Sequence, residues 1–287
     1  MSTPRIGVAL PSFGPHAGPE AIVAVAQAAE RLGFHSVSAS ERLLLPAGPD
    51  WRNEMGLPET YVWETLETLT WAAAHTRRIR LGTGIVNALF QPPITLARRL
   101  ATIDRLSGGR LDVGLGQGWL PEEFTASGVP ATRRGAGFEE YLAALRACWG
   151  PDPVEHDGTH YRIPTSTVGP KPLNGLPVYI GALARPAVER AARIGDGLVT
   201  AVRDWESSAT EIGWYRQAGG AGPVILRIGH PYEGPDTTAE TFVPSALADL
   251  KSAAEVGADE LHFELNLAGV HPDRQIDLLE ALAKNIA

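Results

Sequence analysis

Short apolar runs alternate with stretches of helical periodicity along the whole chain. The first run, residues 6–10, is followed by apolar residues at Ile22, Val25, Ala29 and Leu32, a spacing that predicts an amphipathic helix. The same order recurs through eight units, with apolar runs at 6–10, 34–40, 79–86, 111–115, 177–181, 197–201, 224–228 and 260–265. Strands that alternate with helices predict a parallel α/β sheet, and eight units predict a closed TIM-type (β/α)8 barrel.

The alternation inside single strands predicts which side chains face the barrel interior. In the last predicted strand, apolar side chains alternate with His262 and Glu264. The apolar face should meet the helices, and the polar face should point inward. Because buried polar groups need partners, Arg80 is expected to pair with Asp112 near the closed end of the barrel. Arg227 is expected to pair with Glu264 nearer the open mouth.

The regular alternation is interrupted once, after the fourth strand. Residues 150–176 are rich in proline, and Asp157-Gly158 between alternating residues is typical of a β-hairpin. We interpret this stretch as a hairpin-bearing insertion within a single domain that spans 1–287, since no shift in composition marks a boundary. His156 and His160 have a metal-like spacing across the turn, but no third ligand accompanies them, so no metal site is expected.

Composition narrows the class of protein. The chain has 287 residues, of which 44% are hydrophobic, and this suits one barrel with a large core. Its net charge is -8 with scattered lysines and arginines, which favours neither nucleic acid nor a membrane surface as a partner. The one cysteine, Cys148, cannot form an internal disulfide. With neither a signal peptide nor an apolar span in the sequence, we expect a cytoplasmic protein.

Glycines cluster where the third and fourth strands end. Gly82 and Gly84 lie in one strand, and the sequence GLGQG at 114–118 ends the next. The spacing does not fit the GxGxxG dinucleotide fingerprint, because Trp119 stands where its last glycine belongs. A tight strand exit would explain the pattern, but we favour close contact with a flat cofactor ring. Small residues at 181–184, before a predicted helix, favour a phosphate site.

These motifs together resemble a known family. The sequences RLGTGIV at 80–86, LARRLATIDRLSGGRLDVGLGQGWLPEEF at 96–124, LPVYIGA at 176–182 and ARIGDGL at 192–198 resemble the luciferase-like monooxygenase superfamily. The branch they are most similar to uses the deazaflavin coenzyme F420. The resemblance implies a TIM-type barrel with a cis peptide bond between Gly84 and Ile85, behind the deazaflavin ring.

The resemblance also implies site residues. The cofactor would contact Ser40, Gly84, Ile85, Gln117, Gly118, Gly181, Ala182, Leu183, Thr200 and Ala201. Family members often carry Asp-His after the second strand, where this chain has Glu41 and Arg42. The histidine's role therefore does not transfer, and Glu41 becomes the first candidate for proton transfer in catalysis, with His230 or Glu264 behind it.

The expected function is that of an F420-dependent oxidoreductase, which transfers a hydride between the deazaflavin and a small organic substrate. One alternative is an FMN-dependent luciferase-like monooxygenase that receives reduced flavin from a separate reductase. Another is a barrel that binds a flavin or deazaflavin without catalysis. The resemblance further implies a homodimer.

Overall fold

The barrel prediction is confirmed by a computed structural model, which describes residues 3–53, 62–229 and 234–286. The strands in this part of the chain are β1 (Arg5–Ala9), β2 (Ser36–Ala39), β3 (Arg80–Thr83), β4 (Val86–Asn87), β5 (Leu111–Gly116), β6 (Val154–Asp157), β7 (Arg162–Ser166), β8 (Val178–Gly181), β9 (Gly197–Ala201), β10 (Val224–Ile228) and β11 (Glu260–Phe263). Its α-helices are α1 (Pro19–Arg31), α2 (Thr65–His75), α3 (Pro93–Ser107), α4 (Pro121–Ala126), α5 (Ala136–Trp149), α6 (Arg185–Ile194), α7 (Trp205–Gln217), α8 (Ala239–Val256) and α9 (Pro272–Ile286).

The parallel strands close on themselves. β1 pairs with β2 on one side and with β11 on the other. From β2 the ring continues through β3, β5, β8, β9 and β10 to β11. The short strand β4 pairs with β5 beyond the end of β3. All the carboxyl ends of these strands therefore meet at one mouth, which is where barrels of this type place their functional groups.

Local signals in the sequence explain where the helices begin and end. Helix α3 begins at Pro93, whose fixed φ suits a first helical turn and whose missing N–H is not needed there. It ends at Gly108, which has a φ of 72° and adopts the left-handed conformation that glycine tolerates best. None of the helices in the three described ranges is long and apolar enough to cross a membrane.

The core lies between the barrel and its helices, as the strand alternation predicts. Val37, Leu81 and Leu261 point outward and are fully buried. Inside the barrel the expected ion pair forms, with Arg80 Nε donating to Asp112 Oδ2 at 2.5 Å and Nη2 donating to Oδ1 at 2.6 Å. The prediction of a polar interior with paired charges is therefore confirmed at the closed end.

The hairpin prediction is confirmed, because β6 and β7 form a separate antiparallel pair between α5 and β8. Glu140 of α5 holds the turn by accepting hydrogen bonds from the backbone N–H groups of His160 and Tyr161, both at 2.7 Å. His156 Nε2 lies 3.8 Å from the same carboxylate. Both histidines of the metal-like spacing therefore lie against Glu140, His160 through its backbone N–H and His156 through its side chain.

Candidate active site

A cavity of about 530 Å³ opens at the carboxyl ends of the strands. Six of the residues predicted for the site lie in its wall: Ser40, Glu41, Gly84, Ile85, Ala201 and the second proton-transfer candidate, Glu264. Leu10, Phe13, Val62 and Leu267 give the wall an apolar part. The volume is within the range of ligand pockets for small molecules.

The floor of the cavity is held by the chain that follows β2. The peptide bond between Gly84 and Ile85 is cis, as the resemblance implied. The carbonyl oxygen of Gly84 accepts a hydrogen bond from Ser40 Oγ at 2.8 Å, and that of Ile85 accepts one from the Glu41 N–H at 3.2 Å. Gly84 N–H in turn donates to Ala39 O at 2.8 Å. The last residue of β2, Ala39, and the two residues after it therefore fix this floor.

A buried ion pair supports the floor from beneath. Arg227 Nε donates to Glu264 Oε1 at 2.7 Å, and Arg227 Nη2 donates to the same oxygen and to Ser40 Oγ, the latter at 2.8 Å. The predicted pair of Arg227 with Glu264 is confirmed. It belongs to a chain of hydrogen bonds that runs from the carboxylate through Ser40 to the Gly84 carbonyl.

Breaking this pair should destabilise the protein strongly. In an Arg227→Met variant the Glu264 side chain, only 8% exposed, would be left without its cationic partner. We expect a loss of about 3–5 kcal/mol in the free energy of unfolding, measured by urea denaturation at pH 7. The double variant Arg227→Met/Glu264→Gln, which removes the orphaned charge, should recover much of that loss. Equal stability of the two variants would contradict this account.

A second polar cluster lies deeper in the barrel. His262 Nε2 lies 2.7 Å from Glu260 Oε1, and its Nδ1 lies 2.9 Å from Ser38 Oγ, while Ser36 Oγ donates to the same Glu260 oxygen. Burial alone raises the pKa of Glu260, but attraction to His262 and hydrogen bonds from His262 and Ser36 lower it to about 2. The cluster therefore carries an ionised carboxylate below the cavity.

Among the described residues, Glu41 is one of two carboxylates in the cavity wall, the other being Glu264. Glu41 Oε2 accepts a hydrogen bond from the Asn87 N–H at 2.6 Å. Burial raises the pKa of Glu41 to about 7, with further upward contributions from the carboxylates of Glu64 and Glu123, and the Asn87 hydrogen bond only partly opposes this. A carboxyl group with a pKa near 7 exchanges protons readily at neutral pH.

Glu41 and Arg42, although adjacent in the chain, bind different partners. Glu41 is bound by the Asn87 N–H. Arg42 instead turns toward Glu123, with Nη1 at 4.0 Å from Oε1, and its guanidinium carbon lies 5.3 Å from the centre of the Trp119 ring. The two neighbouring side chains therefore serve different parts of the cavity wall.

Gly114 and Gly116, which the sequence pattern predicts to contact a cofactor ring, have a structural reason to be glycine. A Cβ atom at Gly114 would collide with the carbonyl oxygen of Thr83, and one at Gly116 would collide with Ile85 Cδ1. A Cβ at Gly181 would lie 3.1 Å from Ile85 Cδ1 and from its Cγ2. These glycines make room for the floor segment and for the Ile85 side chain, which itself lines the cavity.

Thr200 was expected to line the site, but its side chain faces away from the cavity. It is buried and donates a hydrogen bond at 2.6 Å to Glu211 Oε2 of α7. Arg203, which does lie in the cavity wall, donates to the other Glu211 oxygen at 2.5 Å. Thr200 thus anchors the helix, and its strand neighbour Ala201 faces the cavity.

The remaining predicted residues lie outside the cavity wall. Gln117 Oε1 accepts a hydrogen bond from the Gly135 N–H at 2.8 Å and so holds the start of α5. Gly118 has a φ of 74°, a conformation that favours glycine. Gly181, Ala182 and Leu183 form the connection from β8 to α6. This connection leads into a helix N-terminus, as the sequence predicts.

Sequence reasoning missed two residues that shape the wall. Ser12, two residues after the predicted first strand, lines the cavity. Asn87 also lines the cavity, and its N–H donates the hydrogen bond to Glu41. Their positions within two residues of the ends of predicted strands could have identified them, because residues there lie at the mouth of a barrel. His230, a candidate for proton transfer, lies outside the described residues.

The fold and the cavity define a TIM-type barrel with a ligand site at its mouth. The family model of luciferase-like monooxygenases matches residues 4–273, and the chain belongs to this family. An uncharacterized protein of Mycobacterium tuberculosis is 36% identical over 190 residues, which cover 63% of this chain and 67% of that protein.

The chain is also similar in sequence to a dehydrogenase and in structure to a monooxygenase. The F420-dependent glucose-6-phosphate dehydrogenase of Beutenbergia cavernae is 33% identical over 186 residues, which are 63% of this chain and 52% of the dehydrogenase. The monooxygenase RslO1 from Streptomyces bottropensis shares the fold with a TM-score of 0.75 and 24% identity, and the match covers 98% of each chain.

Proposed function

We propose that this protein is an F420-dependent oxidoreductase that transfers a hydride between the deazaflavin and a small organic substrate. The observation that carries the proposal is Glu41, a carboxyl group with a pKa of about 7 in the wall of the cavity and beside the Gly84–Ile85 floor. The relative named as an F420-dependent dehydrogenase supports the choice of coenzyme.

The residues present fit a flat ring. Gly84 has no side chain, and a Cβ placed there would meet Arg227 Nε and Ser38 at 3.5 Å, so the floor is supported closely from below. Ser40 and Glu41 would border the ring, with Ala201 on the far side. In the connection 181–183 at the start of α6, the Ala182 N–H already donates to Val199 O at 3.1 Å, so Leu183 would offer its N–H to a phosphate. A deazaflavin, when bound, supplies two-electron hydride chemistry without oxygen activation.

Hydride transfer must be accompanied by transfer of a proton, and Glu41, with a pKa of about 7, suits this step. Hydride transfer to a carbonyl or to an activated double bond leaves a negative charge, which a neutral Glu41 would quench by donating a proton. In the reverse direction an ionised Glu41 would accept the proton of an alcohol. The hydrogen bond from Asn87 N–H to Oε2 fixes the orientation of the carboxyl group in both states.

An FMN-dependent monooxygenase is the second candidate. It is favoured by the fold shared with a monooxygenase at a TM-score of 0.75. A protein of this kind would need a separate reductase to supply reduced flavin, whereas the F420 proposal needs only a source of reduced coenzyme. A homodimer is compatible with either proposal.

A titration of the purified protein with reduced coenzyme F420 and with FMN tests the choice. We expect tight binding of the deazaflavin, followed by absorbance, and at least about tenfold weaker binding of FMN. A Gly84→Val variant should weaken binding of the coenzyme that uses the floor, because the new side chain would meet Ser38 and Arg227 or occupy the space of the ring.

The possible outcomes distinguish the F420-dependent oxidoreductase from an FMN-dependent monooxygenase and from a binding protein. Tighter binding of FMN, with flavin-dependent oxygen consumption, would replace the proposal by the monooxygenase. Binding of coenzyme F420 without hydride transfer to any member of a panel of alcohols, aldehydes and enones would favour a binding protein. Failure of both coenzymes to bind would remove the proposal.

A further inference from the structure

The cavity wall contains buried polar side-chain atoms that lack a hydrogen-bond partner among the described residues. Three buried polar atoms of wall residues have no hydrogen-bond partner among the described residues: Ser12 Oγ, Arg42 Nη1 and Asn266 Nδ2. Ser12 is 1% exposed and Asn266 8%, so water reaches neither side chain freely. Two of the three groups, the guanidinium and the amide nitrogen, can only donate. A buried donor without a partner destabilises a protein, so a ligand rich in acceptors fits this wall.

One oxygen of each carboxylate near Arg42 and the cavity is already hydrogen-bonded within the protein. Glu41 Oε2 accepts from the Asn87 N–H, and Glu264 Oε1 accepts two hydrogen bonds from Arg227. Glu123 Oε1, the carboxylate oxygen nearest to Arg42 in its ion pair, accepts from the Leu43 N–H at 2.9 Å. None of these hydrogen bonds involves Ser12 Oγ, Arg42 Nη1 or Asn266 Nδ2.

Arg42 differs from the other two arginines of the wall. Arg227 and Arg203 each donate close hydrogen bonds to a carboxylate, Glu264 and Glu211 respectively. Arg42 meets its carboxylate only at 4.0 Å, although its side chain is just 13% exposed. Burial lowers the pKa of the Arg42 guanidinium, and attraction to Glu123 offsets this only in part. A guanidinium in this state gains most from an oxyanion, whose geometry matches its planar fork.

We propose that Arg42 is the substrate's anion-binding residue, and that the substrate is a small organic carboxylate with an apolar body. The carboxylate lies against Arg42, and the body packs on the apolar wall formed by Leu10, Phe13, Val62 and Leu267. Ser12 and Asn266 bind a further oxygen of the same molecule. The assignment to substrate rests on the proposed function, whereas the anion site itself does not.

Benzoate and its neutral isostere benzamide are the probes, because they share a shape that the 530 Å³ cavity accommodates. Their binding to the coenzyme-free protein is followed by ligand-observed NMR. We expect benzoate to bind at least about tenfold more tightly than benzamide. Arg42→Met should abolish this preference, and Arg42→Lys should retain part of it, since lysine keeps the charge without the fork.

Arg203→Met/Glu211→Gln is the control, since Arg203→Met alone would leave the Glu211 side chain, 2% exposed, as an unpaired buried carboxylate. It also removes one positive charge from the cavity wall, but from a guanidinium that is already bound by Glu211. Benzoate affinity in this variant should stay within about twofold of the wild type. Phenylphosphonate serves as the competing oxyanion, and preference for it over benzoate would overturn the assignment to carboxylates.

Two further results would overturn the proposal. One is equal affinity of the wild type for benzoate and benzamide, including no detectable binding of either. The other is displacement of benzoate by saturating coenzyme F420, which would assign Arg42 to the coenzyme. Failure of F420 to bind would refute the proposed function but leave the benzoate result to decide the anion site.

Discussion

Replacing Glu41 with glutamine should reduce the rate of hydride transfer by roughly 10²–10⁴-fold, the usual contribution of a positioned general acid or base. Glutamine keeps the oxygen that accepts the Asn87 N–H, so the floor should persist while the exchangeable proton is lost. The measurement is the single-turnover rate of coenzyme oxidation or reduction with a substrate found in the panel. Unchanged turnover would remove Glu41 from the mechanism.

The pH dependence follows from the pKa of about 7 for Glu41. Reduction of the substrate uses the neutral acid, so its rate should fall as pH rises through 7. Oxidation uses the carboxylate, so its rate should rise over the same range. Glu64→Gln is an informative control, because removing this like charge should move both profiles to lower pH without abolishing turnover.

The same residue predicts a change in stability that does not depend on catalysis. The folded-state pKa of Glu41 is raised from 4.5 to about 7, so the folded protein binds more protons than the unfolded chain between these values. The stability therefore falls as pH rises through this window, by up to about 3 kcal/mol from this group. Glu41→Gln does not titrate and should lack this contribution. An unaltered slope of unfolding free energy against pH in the variant would refute the raised pKa.

The barrel and its polar interior could be predicted because their signals are local. The alternation of the predicted last strand, 260–265, places His262 and Glu264 on one face, and period-two geometry then fixes their direction. The partners Arg80 and Asp112 follow from neighbouring strands in chain order. These inferences need only strand periodicity and the order of strands in a barrel.

The site was predicted less completely because its contacts join distant segments. Gly114 and Gly116 were assigned to ring contact, whereas the atoms that exclude a side chain there belong to Thr83 and Ile85. The approach of Glu123 to Arg42 likewise joins helix α4 to the loop after β2. Neither contact leaves a periodic pattern in the sequence. The burial that raises the pKa of Glu41 is a property of the assembled mouth.

Gly114→Ala should be among the most damaging single substitutions in the chain. The new methyl group would collide with the backbone carbonyl oxygen of Thr83. That oxygen cannot withdraw easily, because Thr83 Oγ1 donates to Gly114 O and accepts from the Gly114 N–H, both at 2.7 Å. We expect a loss of at least about 4 kcal/mol in unfolding free energy, or failure to accumulate folded protein.

Gly116→Ala is the matched comparison, because there the obstacle is only Cδ1 at the end of the Ile85 side chain. This variant should fold with a loss of about 1–3 kcal/mol. Ile85→Val deletes that carbon, so the double variant Gly116→Ala/Ile85→Val should be more stable than the two single losses predict. Additive losses would show that Ile85 does not fill the space at Gly116.

Rescue of Gly114→Ala by Ile85→Val would contradict the assignment of its clash to the Thr83 backbone. We expect Ile85→Val to restore stability to Gly116→Ala but not to Gly114→Ala. This result would mean that β5 positions the floor through its contact with the Thr83 backbone at Gly114. It would also mean that β5 positions the Ile85 side chain at Gly116.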